Sequence, residues 1–350
     1  MNSILEEDLL EIINSKYINW NKLDNKTLLI TGATGLIGSI LVKSILLKNR
    51  MHNYHIKLVL PVRNVKKANE IFGKSNEIEF IESSVENCPS IYNIDYIIHA
   101  ASPTKSKFLS ENPVETIDTA VLGTKRILEI ARENNISSMV YLSSMEMYGV
   151  LDNSNVKEDN LGYIDLKSTR SSYPEAKRMC ELYCYSYFKE YGISVKIARL
   201  AQTFGAGISK QENRIYKVMM DAILNKTDII LKSSGQTIIN FCYTTDAIIG
   251  ILFLLLNGKA GESYNVVSDK TNMTILDSAN WLVNELGNGQ EVKTNICNNS
   301  QFAPENFMVL SNKKIKELGW TNKYTIKDGY KRLLKFLEEE NKNEEKNNIS

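Results

Sequence analysis

Short apolar runs alternate with longer amphipathic segments along the chain as far as residue 204. The runs predict buried strands at 27–31, 55–62, 78–81, 95–101, 139–143 and 195–200. Between them the apolar residues repeat with a helical period, as in 113–134, which begins at a proline, and 173–191, which ends before a glycine. This alternation predicts an α/β fold of the Rossmann type, with a doubly wound parallel sheet covered by helices on both faces.

The same patterning divides the chain into segments. Residues 1–26 contain an amphipathic helix and are interpreted as a helical extension, followed by the Rossmann domain at 27–204. Residues 205–337 alternate less regularly and predict a smaller C-terminal α/β domain, with the strand and helix of 240–258 returning to the Rossmann part. Residues 338–350 are almost entirely polar and are expected to form a frayed tail.

Composition excludes several classes of protein. The 350 residues include 42 Lys and Arg against 41 Asp and Glu, a balance that argues against nucleic acid as a partner. No apolar stretch approaches the ~20 residues that span a bilayer, and the acidic N-terminus is unlike a signal peptide. Five cysteines without a CxxC pair and three scattered histidines indicate neither disulfides nor a metal site. We therefore expect a reduced, cytoplasmic protein without membrane insertion.

A glycine-rich loop separates the first predicted strand from the first long helix. Gly32, Gly35 and Gly38 form GxxGxxG, with Thr34 inside the loop and Leu36 and Ile37 at the helix start. Such glycines permit a tight turn, close approach to a pyrophosphate and packing of helix on strand, while the helix N-terminus supplies positive potential. A tight turn alone is the other interpretation, but the position between strand and helix favours a dinucleotide site formed by these six residues.

The end of the second predicted strand bears on which dinucleotide binds. A carboxylate there would accept a hydrogen bond from the ribose of NAD, whereas an arginine would accommodate the 2′-phosphate of NADP. The strand ends in Leu-Pro-Val-Arg63-Asn64, without a carboxylate. Arg63 thus favours NADP, although it could equally be a solvated loop charge, and the cofactor is predicted as NAD or NADP.

A second group of polar residues carries the candidate chemistry. Ser144 ends the fifth predicted strand, and Tyr173 and Lys177 lie four residues apart on the following long helix, hence on one face. We expect the lysine ammonium to lower the pKa of the phenol, so that Tyr173 can exchange a proton with an alcohol held by Ser144. Lys177 can also donate to the ribose of the cofactor.

The chain from about residue 27 to 285 resembles the extended short-chain dehydrogenase/reductase family, in particular its nucleotide-sugar epimerases, dehydratases and UDP-glucuronate decarboxylases. The motifs that carry this resemblance are TGATGLIG (31–38), HAASP (99–103), NPVETIDTAVLGT (112–124), SSMEMYG (143–149), RSSYPEAKR (170–178), RLAQTFG (199–205) and NFCYTTD (240–246).

The resemblance implies a nucleoside-diphosphate sugar as substrate, bound mainly by the C-terminal domain, and an alcohol carbon, usually C4, that is oxidised by the cofactor. It also implies a catalytic triad of Ser144, Tyr173 and Lys177. In addition, Ala100 and Ala101 would line the adenosine side of the cofactor, and Ser102 would also bind the cofactor. Since the helix of Tyr173 commonly pairs with its counterpart in this family, a homodimer is expected.

Several positions depart from the family pattern. Met145 and Glu146 stand where the 4,6-dehydratases have Asp-Glu, and a methionine cannot donate the proton that dehydration requires. Glu146 remains a candidate base or substrate contact, or merely caps a loop. Ile239 replaces a substrate-contacting arginine, and Gln202 replaces an asparagine that often contacts the substrate. We therefore predict an epimerase, with an NADPH-dependent nucleotide-keto-sugar reductase and a UDP-glucuronate decarboxylase-type enzyme as alternatives.

Overall fold

The computed structural model describes residues 2–151, 155–269, 273–296 and 305–349, so that Cys297 lies outside the described residues. The helices are α1 Ser3–Ile13, α2 Leu36–His52, α3 Val65–Phe72, α4 Ser106–Glu111, α5 Pro113–Asn134, α6 Ser172–Tyr191, α7 Ile215–Leu224, α8 Thr244–Asn257, α9 Ile275–Leu286, α10 Lys313–Glu317 and α11 Ile326–Ile349. The strands are β1 Thr27–Thr31, β2 Lys57–Val62, β3 Ile78–Glu82, β4 Tyr96–His99, β5 Ser138–Ser144, β6 Val195–Leu200, β7 Gln202–Phe204, β8 Ile229–Leu231, β9 Phe241–Tyr243, β10 Ser263–Val266 and β11 Val292–Thr294. Short 3-10 turns lie at Trp20–Lys22, Met145–Tyr148 and Thr169–Ser171.

A seven-stranded sheet forms the centre of the molecule, in the order β10-β6-β5-β4-β1-β2-β3. Every pairing in it is parallel, which confirms the predicted α/β fold. Strand β1 lies between β2 and β4, so the strand order reverses there. Crevices that hold ligands in such sheets open at the carboxyl ends of the strands at this point.

Helices cover both faces of the sheet because its strands are apolar on both sides. Leu28 and Ile30 of β1 face a core shared with α1, α2 and α8, whereas Leu29 faces a second core built with α5 and α6. All three leucine and isoleucine side chains are fully buried. Helix α6, which carries Tyr173 and Lys177, and its neighbour α5 therefore cover this second face of the sheet.

The C-terminal third contributes more to the sheet than the sequence analysis indicated. Strand β10 forms one edge of the main sheet, although it lies within 205–337. Within 240–258, β9 pairs with β7 in a separate two-stranded sheet, while α8 packs against β5 and β6. A further small sheet joins β8 to β11. The boundaries of the substrate-binding domain remain a prediction.

Helix α11 continues to Ile349, through most of the segment 338–350 that is expected to fray, and the fraying of this tail remains a prediction. The start of the chain supplies polar partners for it. Asn2 donates side-chain hydrogen bonds to the Phe336 carbonyl and to Glu340, at 3.0 Å each, and the Ser3 hydroxyl donates to Glu339 at 2.6 Å. Composition alone does not reveal contacts between residues more than 330 positions apart.

Candidate active site

The glycine loop folds tightly between β1 and α2, and two of its glycines have no room for a side chain. Gly32 has a φ of +68°, and a Cβ on it would lie 2.7 Å from the carbonyl carbon of Ala100. A Cβ on Gly38 would lie 2.2 Å from the Gly32 carbonyl oxygen. These two positions therefore require glycine for packing alone, before any ligand is considered.

Gly35 differs, because it faces open space. Among the described residues, a Cβ on it would meet only the Gly32 oxygen, at 3.4 Å, and none of their side chains caps the helix that begins at Leu36. Thr34, Leu36 and Ile37 are partly exposed beside it. An open surface at the uncapped amides of a helix N-terminus suits a pyrophosphate, so the loop fits the dinucleotide predicted for it.

The end of β4 is fixed against this loop by a buried histidine. The backbone amides of Ala100 and Ala101 each donate to the Thr31 hydroxyl at 3.1 Å, and this hydroxyl lies 2.7 Å from Nδ1 of His99. The other ring nitrogen lies 3.1 Å from the Thr124 hydroxyl. Burial, reinforced by the charge of Lys177, lowers the pKa of His99 to about 3, so that the ring is neutral.

Two further cofactor predictions concern residues at strand ends. Arg63 directly follows β2, is exposed, and makes no hydrogen bond or ion pair within the described ranges. Ser102 follows β4 and is partly buried. The positions are those expected of residues beside a dinucleotide, and their roles remain predictions.

Ser144, Tyr173 and Lys177 come together where β5 meets the start of α6. The Lys177 ammonium donates to the Leu142 carbonyl at 2.8 Å and lies 5.6 Å from the centroid of the Tyr173 ring. The Ser144 hydroxyl accepts from the Glu146 amide at 3.2 Å and lies close enough to the Tyr173 phenol to lower the pKa of that phenol. The three residue types predicted from spacing are thus neighbours in the fold.

The pKa of the Tyr173 phenol shifts in the direction opposite to the sequence-based expectation, which was that Lys177 would lower it. Burial, followed by the negative charge of Glu146, raises the pKa of Tyr173 to about 12, and Ser144, Arg214 and Arg170 only partly oppose this. The Lys177 ammonium donates its hydrogen bond to the Leu142 carbonyl. Burial also lowers the pKa of Lys177, to about 8.

Glu146 is held by an arginine that the sequence analysis missed. Nη2 of Arg170 donates to Oε2 of Glu146 at 2.6 Å, and the guanidinium carbon lies 5.9 Å from the centroid of the Tyr173 ring. The only sequence signal was the position of Arg170 three residues before Tyr173. Glu146 is therefore an ion-paired side chain beside the phenol as well as a loop residue.

Gln202 lies at the start of β7, where its backbone amide donates to the Asn240 carbonyl at 3.0 Å. Its side chain is partly buried and makes no hydrogen bond to Ser144, Tyr173 or Lys177 in the described part of the chain. A contact with substrate remains a prediction for this residue.

A buried ion pair joins α6, which carries Tyr173 and Lys177, to the central sheet. Arg199 of β6 donates to both carboxylate oxygens of Glu181 on α6, with its shortest contact at 2.7 Å. The Ser143 hydroxyl donates to the same carboxylate at 2.5 Å, and Arg199 also donates to the Tyr148 hydroxyl at 2.9 Å. These bonds tie α6 to β5, to β6 and to the turn that carries Glu146.

Among the described residues, no group of three or more His, Cys, Asp or Glu side chains is arranged to hold a metal ion. Within the same ranges, each helix is too short or too polar to cross a membrane.

Comparisons with known proteins agree with this architecture. A sequence model of the NAD-dependent epimerase/dehydratase family matches residues 28–267. The chain is 25% identical over 318 residues to UDP-glucuronic acid decarboxylase 1 of Xenopus tropicalis, covering 91% of this chain and 73% of that protein. It is 24% identical over 332 residues to human dTDP-D-glucose 4,6-dehydratase, covering 90% of each. Among solved structures, the UDP-N-acetylglucosamine 4-epimerase of Methanobrevibacter ruminantium has the same fold, with a TM-score of 0.76, 18% identity, and coverage of 91% of this chain and 99% of that one.

The glycine loop gives a first prediction, which separates packing from ligand binding. Gly38→Ala should lower the free energy of unfolding by about 1–3 kcal/mol, because its methyl group would overlap the Gly32 carbonyl. Gly35→Ala should stay within about 0.5 kcal/mol of the wild type, yet weaken dinucleotide binding, because its methyl group would project into open space beside α2. Denaturant unfolding of the free protein and titration calorimetry with NAD and NADP measure the two effects. Normal dinucleotide binding by a folded Gly35→Ala protein would contradict the assignment.

Lys177 gives a prediction on pH dependence. Its pKa is about 8 in the folded protein, against an ordinary value of 10.5, so the unfolded chain binds more protons between these values. The free energy of unfolding should therefore rise with pH across this window, by up to about 1.4 kcal/mol per pH unit from this group. Lys177→Met should flatten the rise, whereas Lys57→Met, at an exposed position of β2, should not. Urea unfolding at several pH values measures this dependence. The prediction is refuted if the free energy of unfolding rises with pH equally steeply in the wild type and in Lys177→Met.

Proposed function

The chain belongs to the NAD-dependent epimerase/dehydratase family, and from this premise we propose that it is an epimerase of a nucleoside-diphosphate sugar. The reaction would proceed through hydride transfer at a secondary alcohol carbon, with C4 as the proposed position. The observation that carries the proposal is the meeting of Ser144, Tyr173 and Lys177 at the edge of the sheet where the glycine loop lies. Alcohol–ketone interconversion needs only these side chains and a nicotinamide.

Some of these residues would hold the cofactor, and others would transfer the proton. Gly32, Gly35 and Gly38, with the first amides of α2, would hold the pyrophosphate, and Ala100 and Ala101 would flank the adenosine. When bound, the dinucleotide supplies a hydride acceptor and donor. Thr34, Leu36, Ile37 and Ser102 would complete the dinucleotide pocket, and Arg63 would lie at the ribose.

On the substrate side, Ser144 would hold the reacting oxygen and Tyr173 would give or take its proton. Because burial keeps the phenol protonated in the free protein, its deprotonation requires added positive charge or relief from the charge of Glu146. Lys177 would support the phenolate at short range and bind the ribose. Glu146 and Gln202 are proposed as further contacts to the sugar.

Two other reactions remain as candidates, and each has its own support. Exposed Arg63 at the end of β2, without a carboxylate at the strand tip, favours a reductase that uses NADPH once and releases it. Glu146 beside Tyr173, together with the decarboxylase relatives, favours a decarboxylase-type enzyme. Buried Ile239 counts against the second, because it replaces a cation expected to contact the substrate.

Replacement of the phenol hydroxyl tests the proposed function. Tyr173→Phe should keep the ring and the fold but lower turnover of the nucleotide sugar by about 10²–10⁴-fold, since it removes the group that transfers the proton. Tyr185→Phe is the matched control, because Tyr185 lies on the same helix with an exposed side chain. NMR of UDP- and dTDP-sugars incubated with each protein measures the conversion.

Mass spectrometry of the ligands released from the purified wild type then separates the candidates. Retained NAD supports an epimerase or decarboxylase cycle, and the NMR spectra distinguish an inverted sugar from one that has lost a carboxyl group. A protein that purifies empty and consumes NADPH supports the reductase. Full turnover by Tyr173→Phe would overturn the proposed mechanism for all three.

We also propose that the protein forms a homodimer through α5 and α6. Apolar side chains are exposed along both helices, at Val114, Ile117, Leu122, Met179, Leu182 and Tyr185. The two helices pack against each other, so these side chains belong to one surface. Large exposed apolar patches of this kind mark interaction sites.

One positive charge introduced into this exposed apolar surface should dissociate the dimer. Leu182→Arg, at a position 57% exposed, should shift the protein from dimer to monomer in sedimentation velocity, because a cation would be buried in the interface. Leu166→Arg is the control, since Leu166 is even more exposed but lies in the loop before α6. A wild type that sediments as a monomer at micromolar concentration would exclude the dimer.

A further inference from the structure

Lys177 is a buried cation that forms no ion pair with the described residues. It is 3% exposed, and its ammonium makes one hydrogen bond within the described ranges, to the Leu142 carbonyl at 2.8 Å. An ammonium carries three N–H groups, so this bond uses one of them. A buried charge is costly unless other groups compensate it. The surroundings of Lys177 must therefore stabilise its charge in another way.

The carboxylates whose charge acts on Lys177 are bound to other cations. Glu181 and Glu146 both raise its pKa through their negative charge. However, Glu181 pairs with Arg199 at 2.7 Å, and Glu146 pairs with Arg170 at 2.6 Å. Each arginine offsets most of the charge that its carboxylate presents to the ammonium. Ion pairing therefore does not explain how Lys177 stays charged.

Two aromatic rings lie beside the ammonium instead. The nitrogen of Lys177 lies 4.8 Å from the centroid of the Tyr141 ring and 5.6 Å from that of the Tyr173 ring. Tyr141 belongs to β5, is 1% exposed, and directly precedes the residue whose carbonyl accepts from Lys177. A cation over an aromatic face within about 6 Å is attracted by the negative face of the ring, and more strongly where water is excluded. The Tyr141 ring thus offers negative potential where a carboxylate is missing.

We propose that Tyr141 is a positioning residue, whose ring face holds the Lys177 ammonium in its charged form beside Tyr173. The proposal rests on the proposed function, in which Lys177 supports the phenolate and binds the ribose. The attraction comes from the ring and not from the hydroxyl, so a phenylalanine can supply it as well. The ring of His99, whose centroid lies 5.6 Å from that of Tyr141, packs against it from β4.

The other groups around Lys177 contribute little charge. Burial raises the pKa of the Cys184 thiol and of the Tyr173 phenol and lowers that of the His99 ring, so all three are neutral at pH 7. Burial lowers the pKa of Lys177 itself to about 8, which leaves its charge sensitive to the strength of the ring contact. The titratable groups that face Lys177 are Tyr173, Cys180, Glu181 and Cys184 on α6, Tyr141 on β5, Glu146 on the turn after β5 and His99 on β4.

Replacements that keep the shape of the ring but change its charge distribution test the proposal on the full-length protein. Tyr141→Phe is the reference, and phenylalanines with one, two or three ring fluorines at this position draw electrons progressively from the ring face. A weaker attraction lowers the pKa of Lys177, so the rise in the free energy of unfolding with pH should begin lower with each fluorine. With three fluorines it should begin about one pH unit lower than in Tyr141→Phe, a tenfold change in proton affinity.

Urea unfolding at several pH values measures this series without any substrate. The same replacements in the Lys177→Met background are the matched control, because they should leave the pH dependence unchanged there. An unchanged pH dependence across the fluorine series in the presence of Lys177 would overturn the proposal. So would an equal change in the Lys177→Met background, which would assign the effect to packing of the ring.

The pH dependence of turnover gives a second measurement, with a UDP- or dTDP-sugar that the wild type converts. At pH 8 the charged fraction of Lys177 should fall about fivefold with three fluorines, and turnover relative to Tyr141→Phe should fall with it. Near pH 6, where Lys177 is protonated in every variant, the two rates should become equal. A deficit of the same size at both pH values would contradict the proposal. A wild type that converts no nucleotide sugar would overturn the proposed function instead, while the unfolding series still tests the contact between ring and ammonium.

Discussion

The attachment of α6 to the sheet is the constraint on which the candidate site depends. Glu181 and Arg199 form a buried, doubly hydrogen-bonded ion pair, and Lys177 reaches the Leu142 carbonyl one turn earlier. Removing one partner of such a pair leaves an uncompensated buried charge, at a cost of about 3–5 kcal/mol. Because Tyr173 lies one further turn toward the helix start, its distance from Ser144 at the end of β5 is fixed by these bonds.

A second set of hydrogen bonds fixes the backbone where β1 and β4 end. The network of His99, Thr31 and Thr124 holds the backbone of Ala100 against Gly32, whose positive φ permits the turn. Parallel strands bring their carboxyl ends to one edge, so the glycine loop and the end of β5 open toward the same crevice. A dinucleotide site and a proton-transfer site therefore adjoin as a consequence of topology.

Sequence reasoning succeeded where local spacing determines geometry. The glycines of the loop and the pair Tyr173 and Lys177 could be located because each set lies within one turn or one helix face. It failed where partners are distant in the chain, since Arg170 and Glu146 are 24 positions apart and α11 is held by the first residues. The direction of the phenol pKa was also wrong, because burial depends on the whole fold and outweighs one neighbouring charge.

The same burial that orders the site also sets its resting charge. It raises the pKa of Tyr173 to about 12 and lowers that of Lys177 to about 8, so both groups shift toward their neutral forms. Proton transfer at Tyr173 thus depends on charges around it, and Arg170 is one that the chain itself supplies.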